Sequence, residues 1–285
     1  MKIGEALKLG YDTLKEVNIE TYMLDSQLLL CKVLNRDKLF IITNRDLDIT
    51  EEELNRFIEL LGERSNKKPI KYILGQCEFM GLDLFIQEGV LIPRGDTEVL
   101  VEEAIKEIKR FNFTKAADLC CGSGAIGLSV ASFCNDLEVK CFDISDTAIE
   151  VTERNIQNLK LLDKVTVVKS DLLKAAAERG EKFDIILSNP PYIRKEVIPT
   201  LMDDVKNYEP FIALCGGEDG LDFYKRIVLE SKDVLNASGM IIFEIGYDQS
   251  KDVSEILEKA GFENISCIKD LAGLDRVVKA NLKIS

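Results

Sequence analysis

From residue 116 to residue 280, short apolar runs alternate with longer amphipathic stretches, and no other feature of the chain limits its fold so tightly. The apolar runs fall at 116–120, 138–142, 164–168, 183–187, 239–245, 262–268 and 275–280. Helical periodicity fills about 124–134, 146–159, 218–236 and 249–260 between most of them. Short strands separated by helices pair mainly in parallel, with helices covering both faces of the sheet. The expected fold is α/β, built on a mainly parallel seven-stranded sheet. Ligands of such sheets bind at the carboxyl ends of the strands. The residues that follow each strand therefore carry the functional information.

The first 72 residues have a different character. Ile3, Ala6, Leu7, Gly10, Tyr11, Leu14 and Val17 fall three or four apart, on one helical stripe. Leu24, Leu28, Cys31 and Leu34 suggest a second stripe, and Leu54, Phe57, Ile58 and Leu61 a third. Thr50 with Glu53 forms a capping-box pattern before the third helix, and Gly62 marks its expected end. Residues 1–72 thus predict a small helical-bundle domain, too small for a large cleft and suited to binding or covering a substrate. Between 73 and 95, Phe79, Met80, Leu82, Leu84 and Ile86 surround Gly81, with turn signals at Gly75 and Gly89. A β-hairpin connector is expected there. Pro93, Arg94, Gly95 and Asp96 break structure, and Thr97 is placed to cap a helix from Glu98 to about Lys109. Residues 96–285 then form the α/β domain.

Composition narrows the chemistry. The chain contains no histidine, which excludes Ser-His-Asp triads, Cys-His dyads and every metal site built on imidazole. Acid–base work would fall to Asp, Glu, Lys, Tyr or the backbone. The eight cysteines include no Cys-x-x-Cys pair, so the usual zinc patterns fail and no metal is expected. Lys2, Glu5, Lys8 and Asp12 interrupt any apolar run at the start, so no secretory leader is expected. No run of about 18 apolar residues suggests a membrane span. Reduced thiols in the cytoplasm are the expectation. The net charge of −13 argues against a broad phosphate-binding surface.

The first strand leads into Asp118-Leu119-Cys120-Cys121-Gly122-Ser123-Gly124, a glycine-rich turn entering a helix. Gly122 and Gly124 let the backbone approach a ligand closely. The second strand ends at Asp143, whose carboxylate can accept both hydroxyls of a ribose. A nucleoside-containing cofactor follows, although glycines at this spacing also occur in dinucleotide sites. After the third strand, Asp171 could accept an adenine amino group with Leu172 against the ring, although taken alone it reads first as a helix cap.

The fourth strand ends in Asn189-Pro190-Pro191-Tyr192. Two consecutive prolines make this turn stiff and leave its carbonyls without neighbouring N–H groups. The arrangement suits a planar N–H₂ group, one hydrogen accepted by the Asn189 side chain and the other by the Pro190 carbonyl. The Tyr192 ring would exclude water. Amide-like nitrogens are poor nucleophiles, and two acceptors raise electron density at nitrogen. The partner must be a strong electrophile that needs no acid for its leaving group. The methyl sulfonium of S-adenosylmethionine fits, with S-adenosylhomocysteine as product. Positioning of the two reactants would be the main catalytic effect, worth in principle up to ~7–11 kcal/mol.

Further motifs run through the chain. They are Pro93-Arg94-x-Asp96-Thr97-Glu98, Phe142-Asp143, Tyr208-Glu209-Pro210 and Gly216-Gly217-x-Asp219-Gly220-Leu221. Glu244-Ile245-Gly246-Tyr247-x-Gln249 and Asp270-x-x-x-x-Asp275-Arg276 follow. With the helical N-terminal region and Asn189–Tyr192, they resemble class I S-adenosylmethionine-dependent methyltransferases. Within that class they are most similar to the HemK/PrmC family, N5-glutamine methyltransferases of peptide-chain release factors. The resemblance covers nearly the whole chain and implies a Rossmann-like catalytic domain and a helical substrate-recognition domain. It implies that Asn189, Pro190, Pro191 and Tyr192 bind the glutamine of the release factor's Gly-Gly-Gln loop, with Asn189, Pro190 and Tyr192 catalytic. It also implies that Asp118, Cys120, Cys121, Gly122, Ser123, Gly124, Asp143, Asp171, Leu172 and Asn189 contact the cofactor. Cys120 stands where the family usually has glycine, and Gly95 where it commonly has proline. Arg94 and Glu98 are expected to pair and brace the connector, the alternative being contact with the cofactor. Glu209, Glu244 and Arg276 read as scaffold. A monomer without a nucleic-acid partner is expected.

A nucleic-acid N-methyltransferase acting on an adenine or guanine amine would use the same turn on an unstacked base. It would be expected to carry a basic stripe. Residues 1–80 hold 12 basic and 14 acidic groups, and residues 81–285 hold 25 and 36, so neither part is basic.

Overall fold

The computed structural model describes residues 1–283. The chain forms two compact units, one of Met1–Gln76 with Met202–Tyr208, the other of Cys77–Leu201 with the chain from Glu209 onward.

The first unit contains α1 (Ile3–Glu16), α2 (Tyr22–Leu34), α3 (Lys38–Thr43), α4 (Glu51–Ser65) and α5 (Ile70–Leu74). Leu7, Leu14, Leu29, Ile41, Phe57 and Leu60 are at the centre of its core. The α1 stripe is buried at Ile3, Ala6, Leu7, Gly10 and Leu14, as its spacing predicts. The capping box of α4 forms in both directions, Glu53 N–H to Thr50 Oγ1 at 3.2 Å and Thr50 N–H to Glu53 Oε2 at 2.7 Å. Two expectations need correction. The buried face of α2 is Asp25, Ser26, Leu29 and Leu30, while Leu24 is exposed. Two polar residues occupy that face because partners wait for them: Arg64 donates to Asp25 at 2.7 Å, and side-chain-free Gly10 makes room for Ser26. Helix α4 also runs through Gly62 and stops only beside Lys67, whose φ of +69° makes the left-handed exit.

The second unit begins with a two-stranded hairpin, β1 (Gln76–Phe79) and β2 (Leu82–Phe85). Met80 and Gly81 both have positive φ, the turn geometry that matches strand twist. Then follow α6 (Glu98–Phe111), β3 (Lys115–Leu119), α7 (Ala125–Phe133), β4 (Glu138–Asp143) and α8 (Asp146–Asn158). Next come β5 (Val165–Lys169), α9 (Lys174–Glu178) and β6 (Phe183–Ser188). Helix α10 (Asp203–Lys206) belongs with the helical unit, where Tyr208 donates to the Asn66 carbonyl at 2.6 Å. The chain closes with α11 (Phe211–Leu214), α12 (Asp222–Ser231), β7 (Leu235–Glu244), α13 (Ser250–Lys259), β8 (Phe262–Lys269) and β9 (Asp275–Leu282).

The sheet order is β5-β4-β3-β6-β7-β9-β8, parallel from β5 to β7, with β9 antiparallel to both its neighbours. This is a Rossmann-like class I methyltransferase fold with a mainly parallel seven-stranded sheet. The strand order reverses between β3 and β6, so their carboxyl ends flank the crevice where such sheets bind ligands. The edge-to-face pair of Tyr224 on α12 with Phe243 on β7 holds the sheet to its covering layer, and Phe142 on β4 meets Phe183 on β6 edge to face within the sheet. Lys279 of β9 reaches Glu107 of α6 at 2.7 Å, a buried charge satisfied by its opposite.

Candidate active site

At the carboxyl end of β3 the backbone enters the left-handed region at Cys120, Gly122 and Gly124, with φ of +56°, +56° and +78°. Gly124 begins α7, and a Cβ there would come within 2.9 Å of the Thr152 methyl, so glycine is required. Asp118 lies beneath this loop, wholly buried, with Oδ2 accepting the Gly127 N–H at 2.8 Å. Its other oxygen makes no hydrogen bond among the described residues, and burial pushes its carboxyl up to about 7. Asp143 ends β4 and ties the loop to the next strand. Its Oδ2 accepts from Gly122 N–H at 2.9 Å and its Oδ1 from Ser145 N–H at 3.0 Å. Burial raises its pKa, and these backbone donors pull the other way.

A cavity of ≈ 330 Å³ opens beside this loop. Cys120, Gly122, Asp143, Asp171, Leu172 and Asn189 line it. Asp171 does not cap α9 with its side chain; it pairs with Arg226 at 2.9 Å on the cavity rim. Asp118, Gly124, Pro190 and Tyr192 do not line this cavity. Cys121 and Ser123 line a smaller recess that also touches Thr97, Cys120 and Asn189. Burial and the nearby Asp143 and Asp118 push the Cys120 thiol up, so it stays protonated at neutral pH. Among the described residues, no group of three acidic or cysteine side chains is placed to hold a metal ion.

The Asn189–Tyr192 turn follows β6 directly. Ser188, wholly buried, anchors it by donating to the Leu119 carbonyl at 2.7 Å. Gln249 donates to the Tyr192 carbonyl at 3.1 Å and to the Gly220 carbonyl at 3.2 Å, while its own oxygen accepts from Gly246. A Cβ on Gly216 would stand 2.7 Å from both the Pro191 oxygen and the Tyr192 Cα. The glycine motif and the Gln249 motif thus form the outer support of the turn. The Pro190 carbonyl accepts no hydrogen bond among the described residues. The Tyr192 hydroxyl faces Glu244 at 3.4 Å, and burial with that carboxylate pushes its pKa up.

Three residues differ from their expected roles. Thr97 does not cap α6; its side chain makes no capping bond, and its hydroxyl accepts from Asn189 Nδ2 at 3.3 Å. Arg94 and Glu98 do not pair with each other. Arg94 binds the buried Glu209, and Glu98 accepts the Met80 N–H of the hairpin turn at 2.9 Å. Asn155, wholly buried, exchanges two bonds with Phe85 and donates to the Ser123 carbonyl at 3.0 Å, joining hairpin to glycine loop. That brace brings Gly89, Val90 and Leu91 to the cavity. Phe223 and Ile212 also line it. No local motif marks these wall residues; they reach the cavity only through the packing of distant segments.

Comparison with known proteins follows the same lines. Residues 95–204 match the family model described as methyltransferase small domain, and residues 5–75 match the PrmC N-terminal domain. The chain is 55% identical over 280 residues to the release factor glutamine methyltransferase of Clostridium acetobutylicum, covering 98% of each chain. It is 40% identical to that of Fusobacterium nucleatum, covering 95% of this chain and 76% of the other. Among solved structures, the hMettl16 catalytic domain in complex with MAT2A 3'UTR hairpin 6 superposes with a TM-score of 0.58. That match has 15% identity and covers 84% of this chain and 86% of the other, a likeness of fold alone.

Proposed function

The chain belongs to the release factor glutamine methyltransferase family, and on that premise we propose how its residues methylate the side-chain nitrogen of a release-factor glutamine. The observation that carries the reading is the Asn189–Tyr192 turn. It is anchored from outside by Ser188, Gln249 and Gly216, with its Pro190 carbonyl left unbonded among the described residues.

The cavity suits S-adenosylmethionine. Its volume of ≈ 330 Å³ falls at the low end of small-molecule sites. Each Asp143 oxygen keeps a lone pair beyond its backbone bond, enough for two ribose hydroxyls. Leu172, Phe142 and Ala148 supply apolar wall for a purine ring. Apart from its chain neighbours, no described residue has an atom within 4 Å of where a Gly122 Cβ would be, so the loop backbone faces open space there. When bound, the cofactor supplies an electrophilic methyl group.

The chain's own residues prepare the nucleophile. Asn189 Oδ1 accepts one hydrogen of the glutamine carboxamide, and the Pro190 carbonyl accepts the other. Together they fix the amide plane and enrich the nitrogen. Tyr192 and the proline rings keep bulk water from that nitrogen. The proton lost afterwards passes to water, so the reaction needs no histidine. The glutamine belongs to the Gly-Gly-Gln loop, which is too small to select one protein. The helical unit of residues 1–76 therefore contributes recognition area, since specific interfaces usually bury roughly 1,200–2,000 Å². We place the reaction in the cytoplasm, where release factors work.

The test incubates the protein with methyl-labelled S-adenosylmethionine, a release factor and, separately, nucleic acid. Label should enter the release-factor glutamine. Asn189→Ala should abolish that transfer and leave cofactor affinity nearly unchanged by calorimetry. Near-normal turnover in Asn189→Ala would overturn the two-acceptor mechanism. Label entering only nucleic acid would overturn the choice of substrate.

A further inference from the structure

We propose that Thr97 and Glu244 act as positioning residues that decide which end of the Asn189 carboxamide faces the substrate. The inference rests on the reading above, in which Asn189 receives the glutamine amide.

The two ends of an asparagine carboxamide have the same shape and opposite hydrogen-bonding character. Only the orientation with Oδ1 toward the cavity can accept an N–H from the substrate. Something in the protein must select it. Residues beside Asn189 are placed to do so. Strands β6 and β7 pair with Ser188 opposite Phe243, so the residues that follow, Asn189 and Glu244, emerge side by side. Thr97 and Glu244 are both buried, at 4% and 2% exposure. Thr97 Oγ1 accepts from Asn189 Nδ2 at 3.3 Å. The same hydroxyl stands near enough to the Glu244 carboxylate to lower its pKa. Among the described residues Glu244 Oε2 has no hydrogen-bond partner, so it is an acceptor still lacking a settled donor.

The direction follows from proton counting. An ionised carboxylate can only accept, and a threonine hydroxyl has one proton. With that proton turned to Glu244, Thr97 can only accept from Asn189. The group facing Thr97 must then be Nδ2, and Oδ1 is left to the cavity. Protonation of Glu244 removes the constraint. The Thr97 proton is freed, the carboxamide can turn, and a substrate amide would meet an N–H₂ that cannot accept its hydrogen.

The groups facing Glu244 leave it as the one that titrates. Tyr192 and Tyr224 are pushed up by burial and stay neutral. Arg276 stays charged, held by Asp270 at 3.0 Å and Asp96 at 3.2 Å, and it lowers the Glu244 pKa while Asp96 raises it. Burial is the largest influence and pushes Glu244 up to about 7.

The experiment reads the carboxamide directly. The protein is labelled with ¹⁵N at asparagine side chains, and the Asn189 signal is assigned by its loss in Asn189→Ala. In the wild type, its N–H₂ resonances should shift with pH through a single proton, with a midpoint near that of Glu244. The shift should vanish in Glu244→Gln and in Thr97→Val. Thr97→Val should also lower kcat for the release factor by about 10–100-fold with little change in KM or cofactor affinity. Thr97→Ser should recover most of that loss. Resonances that ignore pH in the wild type, or a titration that persists in Glu244→Gln, overturn the relay. The nuclear resonance readout needs no substrate. A titrating Asn189 in an enzyme inert toward release factor would overturn the functional reading and leave the relay standing.

Discussion

At the scale of single residues, the two aspartates of the glycine loop have separate tasks. Asp143 lines the cavity and keeps spare lone pairs, whereas Asp118 is sealed below and holds the Gly127 backbone. Asp143→Ala should weaken S-adenosylmethionine binding by about 1–3 kcal/mol, the cost of leaving hydroxyls without their acceptor. Unchanged affinity by calorimetric titration would remove Asp143 from the site. Asp118 makes itself felt in pH dependence. Its folded pKa of about 7 lies above its ordinary value of 3.8, so between these values the folded state holds more protons than the unfolded one. Its contribution to stability is complete below the lower value and is lost as pH rises through about 7. Lowered carboxyls such as Asp184 and Glu103 act in the opposite sense, so the difference between variants is what counts. Scanning calorimetry of the cofactor-free protein should show Asp118→Asn gaining stability relative to wild type from pH 4 to 8. A difference that stays constant with pH would mean that Asp118 is ionised throughout. Asn189, Pro190 and Asp143 were legible as strand-end residues because each closes or directly follows an apolar run. Thr97 was not, because a threonine before a helix reads locally as a cap and its true partner lies 92 positions away.

At the scale of elements, the Asn189–Tyr192 turn is supported by segments that carry no chemistry themselves. Gly216 packs against Pro191 and Tyr192 so closely that any side chain must displace backbone. Gly216→Ala should cost about 1–3 kcal/mol of stability, as overpacking does. It should also lower kcat with cofactor affinity retained. Urea denaturation and methylation assays check the two arms, and wild-type kcat in a destabilised protein would uncouple Gly216 from the turn. The same scale explains the misread face of α2. Apolar spacing identifies a buried stripe only when that stripe is apolar, and here Asp25 is buried because Arg64 meets it from α4. Breaking such a pair from one side is costly, so Asp25→Ala should destabilise the protein by about 3–5 kcal/mol by chemical denaturation. A loss under 1 kcal/mol would mean that the pair contributes little beyond its desolvation.

At the scale of the whole molecule, the cavity lies within one of the two units. All cavity-lining residues belong to the second unit. Removing residues 1–72 should therefore leave cofactor binding in place and lower kcat/KM for the release factor by at least about 30-fold, the effect of losing one strong interface contact. The deletion also takes away the partners of Met202–Tyr208, including the Asn66 carbonyl that Tyr208 binds. Circular dichroism must first establish that the truncated chain folds. A folded truncation with unchanged kcat/KM would assign recognition to the catalytic unit alone.

The order of strands and helices, the parallel sheet and the crevice at its carboxyl ends all follow from sequence, because they depend on local periodicity and on the geometry of right-handed crossovers. So does the Asn189–Tyr192 turn, whose prolines act on their own backbone. Tertiary structure alone decided which polar side chains meet which partners. Arg94 chose Glu209 over Glu98, Asp171 chose Arg226 over the start of α9, and Thr97 chose Asn189 over its own helix. Each choice turns on distances between segments far apart in the chain, which residue type and spacing do not encode.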